Sequence, residues 1–383
     1  MTLLKDRASE RLVVELTDRL RRRQVLGAQQ AAIETFHVLR QVVARARFSD
    51  IQELLDLVKA AGRRLIAAQP KEHAVGNIVR KFLHLIREEG HASGKLSAPK
   101  PSATSSSLAD FIRLAPLRAQ THTHGTAGVT SRHPAPHRPA DEEDAAIDDE
   151  DEDGVVGGGD FKGLLMDGLR EILDELETVY ENVSKNAKDH IHSDEIILTV
   201  GHSRTIASFL SSAHHSGRNF TVIVPETAPS YSGRAMASSL ATSGISTVLI
   251  PDSAVFALLS RVNKVLLGAH AVLADGGMFA PAGALLAASA ARAHSVPVVV
   301  CAGQFKLTPT WSAAAPGLEF ADPAPVLGFE EGALVEKVDV LNPYWDYVRP
   351  EMIDVYITNY GDHAPSFIHR LIKDSYDDED SDL

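Results

Sequence analysis

Two short stretches of this chain hold residue types whose spacing could do chemistry. At 201–205 the sequence reads GHSRT directly after an apolar, β-branched run: Gly201 permits a sharp turn, Ser203 and Thr205 supply hydroxyls, Arg204 a fixed charge and His202 a titratable ring. Where a strand gives way to a helix, that set suits a phosphate, because the free N–H groups and partial positive charge of a helix N-terminus favour an anion. The same types are what any strand–turn–helix junction needs, with Ser203 as the helix cap, and the cap is the reading the sequence favours. His270 closes a second apolar run, KVLLGAH, and is placed for a cleft. A lone histidine at a strand end is more often a hydrogen-bonded structural group than an acid–base catalyst. The glycine-rich ADGGMFAPAGA at 274–284 has neither the dinucleotide spacing nor a P-loop lysine. His122, His124, His133 and His137 have no cysteine partners near them, so a metal tract is not implied. No metal and no cofactor is expected.

The elements that must position these residues follow from periodicity. EIILTVG (195–201), NFTVIVP (219–225), STVLIP (246–251), KVLLGA (264–269) and VPVVVCA (296–302) are short apolar runs separated by helical segments. Strands that are continuously apolar imply burial on both faces, hence a mainly parallel sheet covered by helices with right-handed crossovers. Ligands of such sheets sit beyond the carboxyl ends of the strands, where GHSRT and His270 fall. Residues 1–93 read instead as a helical domain. Phe36, Leu39 and Val43 mark one helix. Ile51, Leu54, Leu55, Val58, Leu65 and Ile66 mark another, opened by a capping box of Ser49 with Gln52 and stopped before Pro70. A further stripe of Val75, Ile78, Val79, Phe82 and Ile86 is expected to end at Gly90 as a C-terminal cap. From Phe161 to about Ala187 the helical period returns, with Leu165, Leu169, Ile172, Leu176, Val179 and Val183 as its seam. Between these parts, 94–157 is rich in Ser, Pro and His and then acidic, too poor in large apolar side chains to offset its ordering entropy; LADFIRL at 108–114 is its one motif with a capacity to order. The fold class is therefore α/β: an N-terminal helical domain (1–93), a disordered acidic linker (94–157), a leading helix plus Rossmann-like, mainly parallel sheet domain (158–373), and an acidic tail (374–383).

Composition fits that division. A chain of 383 residues, 44% apolar, suffices for two domains with substantial cores. Cys301 is the only cysteine, so no intrachain disulfide framework exists and a reducing, cytosolic compartment is the natural setting. The opening MTLLKDRASERLVVEL has no uninterrupted apolar core and does not resemble a secretory signal. The best membrane candidate, 265–291, is broken by His270, Asp275, Pro281 and several glycines. The net charge of −13 belongs to two runs: 141–153 holds ten carboxylates and 374–383 six more, both expected as solvated tails. Residues 1–93 carry 17 Lys and Arg against 11 Asp and Glu, with basic runs at Arg21–Arg23, Arg63–Arg64 and Arg80–Lys81. These are consistent both with an acidic partner and with ordinary solvated helix faces. Near the C-terminus, Tyr344, Trp345, Asp346, Tyr347 and Val348 lie between Pro343 and Pro350. Aromatics concentrated this way are enriched in buried interface cores, so the five are subunit-interface candidates, with an internal core role as the alternative.

The runs SRVNKVLLGA, PKEHAVGNIVRKFLHLIREE, DYVRPE and HAPSFIHRLI resemble the beta subunits of eukaryotic translation initiation factor 2B, and more distantly the alpha and delta subunits and the methylthioribose-1-phosphate isomerases of the same fold. The likeness covers nearly the whole chain except the linker. In those isomerases a cysteine in THC and an aspartate in GAD move the proton; the matching positions here are Gly201 in TVGHS and His270 in GAH. The substrate-holding NKIGT corresponds to Ala280, Pro281, Ala282, Gly283 and Ala284, and the arginine of an RP pair is replaced by Ala228 before Pro229. Losing a general acid or base costs about 10²- to 10⁴-fold each, so the resemblance implies no catalytic residues and no enzyme. Cys301 is read as a buried small apolar residue. What the resemblance implies instead is a regulatory and assembly subunit of the guanine-nucleotide exchange complex. Its partners would be homologous alpha and delta subunits, gamma and epsilon subunits (epsilon catalytic), and the initiation factor 2 heterotrimer whose alpha-subunit phosphorylation the complex senses. Neither nucleic acid nor membrane is a direct partner. The alternatives are a sugar-phosphate aldose–ketose isomerase, and a phospho-metabolite or nucleotide sensor that binds at GHSRT without turnover.

Overall fold

The computed structural model describes residues 6–94, 96, 158–313 and 319–383. The histidines at 122–137, the motif at 108–114 and the acidic run at 141–153 lie outside the described residues. Four helices open the chain: α1 (Arg7–Arg21), α2 (Ala28–Arg45), α3 (Ile51–Ala68) and α4 (His73–Ala92). The predicted stripes are their buried faces: Phe36, Leu39 and Val43 on α2, Leu54, Val58 and Leu65 on α3, Val75, Ile78, Phe82 and Ile86 on α4. Two predicted caps differ. Helix α3 starts after Asp50, and the Ser49 backbone N–H donates to the Glu53 carboxylate at 3.2 Å while Gln52 turns to Asp56. An ionised acceptor makes the stronger capping bond, so Glu53 prevails over the expected Ser49–Gln52 box. Gly90 lies inside α4, which runs on to Ala92 and closes with Ser93 Oγ donating to Glu89 O. A Cβ at Gly90 would stand 2.5 Å from Leu96, so close packing explains this glycine.

Helix α5 (Gly158–Ser184) buries the whole predicted seam, from Leu165 to Val183. It leads into a seven-stranded sheet of order β10-β9-β7-β4-β1-β2-β3, parallel except for β10. Its strands are β1 (Ile196–Leu198), β2 (Thr221–Pro225), β3 (Ser246–Ile250), β4 (Lys264–Gly268), β7 (Val298–Cys301), β9 (Val355–Thr358) and β10 (Gly361–His363). Helices α6 (Arg204–His215) and α7 (Ser232–Thr242) follow β1 and β2, and α8 (Ala284–His294) precedes β7. A small antiparallel sheet, β5 (Ala271–Val272), β6 (Met278–Pro281) and β8 (Trp345–Val348), lies beyond β4, and α9 (Ile368–Ser375) nears the C-terminus.

Burial follows strand parity. Ile197, Val222, Val224, Leu266, Val299 and Cys301 share one apolar cluster with α1–α5, while Leu198, Ile223, Val265, Leu267, Val300 and Tyr356 pack on the opposite side. Both faces of the inner strands are therefore covered, as continuous apolar runs require. The edge strand β3 is different: Val248 and Leu249 are 45% and 49% exposed, and among the described residues no strand pairs with its outer edge.

The acidic C-terminus is the largest departure from expectation. Instead of trailing into solvent, residues 376–382 lie against α3 and α4. Asp380 is 1% exposed, its carboxylate held by Lys59 Nζ at 3.1 Å and by Arg87. Asp377 bonds Arg87 and His84, and the bond to Asp377 holds the His84 pKa above its usual value. Arg80 donates to the carbonyls of Asp380 and Ser381 at 2.9 and 3.1 Å. A charge run reads as solvated until a matching set of cations is known, and these cations sit some 300 residues earlier in the chain.

Candidate functional site: the crevice at the sheet's switch point

In the order β10-β9-β7-β4-β1-β2-β3 the chain winds outward in both directions from between β1 and β4, and a doubly wound sheet opens its binding crevice there. The two loops singled out by sequence, after β1 and after β4, flank that point. A cavity of about 350 Å³ occupies it, lined by His202, Ser203, Arg204 and Thr205 from the first loop, Gly268, Ala269 and His270 from the second, and Lys306 and Trp345 from elsewhere.

Each predicted residue has a definite place. Gly201 adopts φ +68°, and a Cβ there would press on Pro281 at 3.3 Å. Ser203 caps α6, its Oγ accepting from Ile206 N at 3.4 Å, and packs against Gly268, where a Cβ would fall 2.7 Å from the hydroxyl. The cap is thus realised, and it turns the hydroxyl to the backbone. Thr205 is buried, while His202 and Arg204 are exposed at the rim.

His270 is stacked on Trp345, ring centroids 3.9 Å apart and nearly parallel. Its Nε2 lies 3.3 Å from Lys71 O and 3.8 Å from Glu72 Oε1. Burial pushes its pKa down to about 4, so the ring is neutral at physiological pH and the Glu72 contact is polar, not ionic. His73, stacked on Phe279, is held down to about 4 in the same way. Neither imidazole stores a proton for transfer near neutrality.

Two buried charged residues here were not foreseen. Lys306, just past β7, donates from Nζ to Ala269 O at 2.7 Å, and burial draws its pKa down to about 8. Glu72, just before α4, is buried with Oε1 lacking a hydrogen-bond partner, and desolvation raises its pKa to about 7. The only sequence signal was a charged residue closing an apolar segment, which is common at strand and helix ends. A carboxyl whose pKa is raised on folding contributes its stability below about pH 4.5, and that contribution is lost as pH climbs through about 7. Glu72→Gln is therefore expected to remove a pH-dependent loss on the order of 3 kcal/mol between about pH 5 and about pH 8. Urea unfolding of both proteins across that range measures it; parallel pH profiles would place the carboxylate in water.

Among the described residues that line the cavity there is no thiol and no carboxylate. Cys301 does not line it: it is fully buried in the apolar cluster that the sheet shares with α1–α5, its thiol pushed well up by desolvation. The C-terminal aromatic strand is engaged largely within the chain. Asp346 Oδ2 accepts from Gly283 N and Leu285 N at the start of α8, at 2.8 and 3.0 Å. Tyr347 OH donates to Asp275 at 2.9 Å, and Val348 is fully buried. Trp345 covers His270 and Tyr344 remains partly exposed beneath the Arg23 guanidinium. More apolar surface lies just before the strand, where Phe320, Phe329 and Leu341 are exposed. The described part of that segment is mostly irregular, so periodicity does not mark it.

The model of the Initiation factor 2 subunit family matches residues 24–365. This chain belongs to that family. Within the initiation factor 2 subunit family it is 38% identical to translation initiation factor eIF2B subunit beta of Schizosaccharomyces pombe, over 95% of both chains. It is 39% identical to the Dictyostelium discoideum eIF2B subunit beta over 94% of both. A ribose 1,5-bisphosphate isomerase of Pyrococcus furiosus is 30% identical over 55% of this chain and 66% of its own. The crystal structure of eIF2B beta from Chaetomium thermophilum superposes with a TM-score of 0.67 at 28% identity, covering 96% of this chain and 92% of that one. The expected fold, a helical region followed by a mainly parallel sheet, is the fold of this family. Among the described residues no helix is long and apolar enough to cross a membrane.

Proposed function

We propose that this chain is a non-catalytic regulatory and assembly subunit of the guanine-nucleotide exchange complex that acts on translation initiation factor 2. In this reading it pairs with homologous alpha and delta chains, joins gamma and epsilon subunits, and helps receive the factor and sense phosphorylation of its alpha subunit. Likeness to beta subunits along 95% of the chain is the observation that carries the reading. The lining of the crevice supports it: the His270 ring is neutral, Lys306 is bonded to a carbonyl, and neither a thiol nor a carboxylate is among the described lining residues. Surfaces suited to partners are present, in the unpaired β3 edge with its exposed Val248 and Leu249, and in the apolar segment before β8. The basic runs of the helical region are largely consumed internally. Arg23 pairs with Glu319, Arg64 with Glu10, Lys81 with Glu175, and Arg80 holds the C-terminus. Arg21, Arg22 and Arg63 stay exposed for an acidic partner.

Affinity isolation of the native chain, with partner identification and stoichiometry, tests the proposal. Homologous alpha and delta chains in fixed ratio are expected, and the isolated chain should not convert methylthioribose-1-phosphate or ribose 1,5-bisphosphate to a ketose. Absence of both homologues, or brisk turnover by the pure chain, would overturn it.

A further inference from the structure

The C-terminal strap across α3 and α4 is fastened at its root by one hydroxyl. Ser375 is the last residue of α9; its Oγ donates to Leu371 O at 2.7 Å and accepts from Gln304 Nε2 at 2.8 Å. Gln304 stands just after β7, its own backbone N–H bonded to Asn359, so this hydroxyl ties the start of the strap to the rigid sheet. Beyond it, Tyr376 OH donates to Leu307 O at 3.0 Å, and Asp377 and Asp380 reach the cations of α3 and α4.

The same serine is followed by Tyr376, Asp377, Asp378, Glu379 and Asp380. Four consecutive carboxylates on the C-terminal side of a hydroxyl are a substrate pattern for a kinase with a basic peptide groove, since kinases choose substrates largely by charge complementarity. Asp378 and Glu379 stand well exposed. The position is also one where a phosphate is least compatible with the fastened state. It would add about −2 at a helix C-terminus, where the dipole already opposes negative charge, beside Asp374 and Asp377. It would also remove the hydrogen that Oγ donates to Leu371 O.

We propose that Ser375 is a phosphorylation site for an acidic-directed serine kinase, and that its modification releases the C-terminal strap from the helical region. In the transfer, Oγ bonds to the γ-phosphorus of ATP as the bond bridging the β- and γ-phosphates breaks; ADP leaves and the hydroxyl proton passes to the kinase's base. Ser375 is half-buried in the fastened state, so the kinase acts on the briefly detached strap, and the phosphate keeps it detached because only that form tolerates the charge. Release uncovers Lys59, Arg80, His84 and Arg87 together, turning a neutralised face of the helical region into a cationic one.

The test uses the full chain with ATP, Mg²⁺ and a recombinant acidic-directed serine kinase, read by phosphopeptide mapping and amide hydrogen exchange. Phosphate is expected on Ser375 and absent from Ser375→Ala. The amides of Tyr376, Asp380 and Ser381, which are bonded to Ile372 O, Asp377 O and Asp378 O, should then exchange at least about tenfold faster. Ser375→Glu, made without kinase, should move the same amides in the same direction. No phosphate at Ser375 in the intact chain overturns the proposal, and so does a phosphorylated chain whose strap amides stay as protected as before.

Discussion

Asp380→Ala is expected to cost about 3 kcal/mol, because it leaves the partly buried Lys59 without its carboxylate and Arg87 with Asp377 as its remaining close partner. The side chain is only 1% exposed, so water cannot take its place. The loss should appear as a lower urea midpoint, and pairing it with Lys59→Ala in a double-mutant cycle should give strong coupling, since the second substitution removes the stranded charge. A change within about 0.5 kcal/mol, as for an ordinary surface substitution, would mean that the terminal carboxylates are solvated as their composition suggested.

Gly233→Ala is the second large effect. A Cβ on this second residue of α7 would lie 1.8 Å from Pro225 O, and the obstacle is backbone, so no side chain can turn aside. Helix α7 would have to lift from the end of β2, disturbing the loop whose Thr227 and Ala228 N–H groups both donate to Asp252. Destabilisation of about 3 kcal/mol or more is expected from such overpacking. Thermal and urea unfolding measure it, and near-wild-type stability would show that α7 can shift without loss. Gly163, inside α5, has open space around its missing Cβ and no left-handed backbone, so the contrast is one of local packing and not of residue type.

Much of the architecture was legible because it rests on local pattern. The seam of α5 and the five apolar runs that became β1, β2, β3, β4 and β7 needed only periodicity, since burying a stripe or a run is a requirement each segment carries by itself. Ser203 as a cap was equally local, its acceptor lying three residues from the donor. Where two local solutions competed the reading failed, as at Ser49, where Glu53 and Gln52 were both in reach.

The sequence by itself determined the buried stripes of α2, α3, α4 and α5, five of the seven strands of the large sheet, and the placing of two loops at the carboxyl ends of β1 and β4. Only the tertiary structure decided that Lys306, His270 and Trp345 meet at one crevice with Glu72 buried beside His270, that the candidate interface strand is largely engaged inside the chain, and that the acidic terminus is an internal ligand for α3 and α4. The reason is physical. Periodicity records how a segment partitions between water and core, whereas the burial, charge state and partner of a polar group depend on residues tens to hundreds of positions away, and those meet only when the chain has folded.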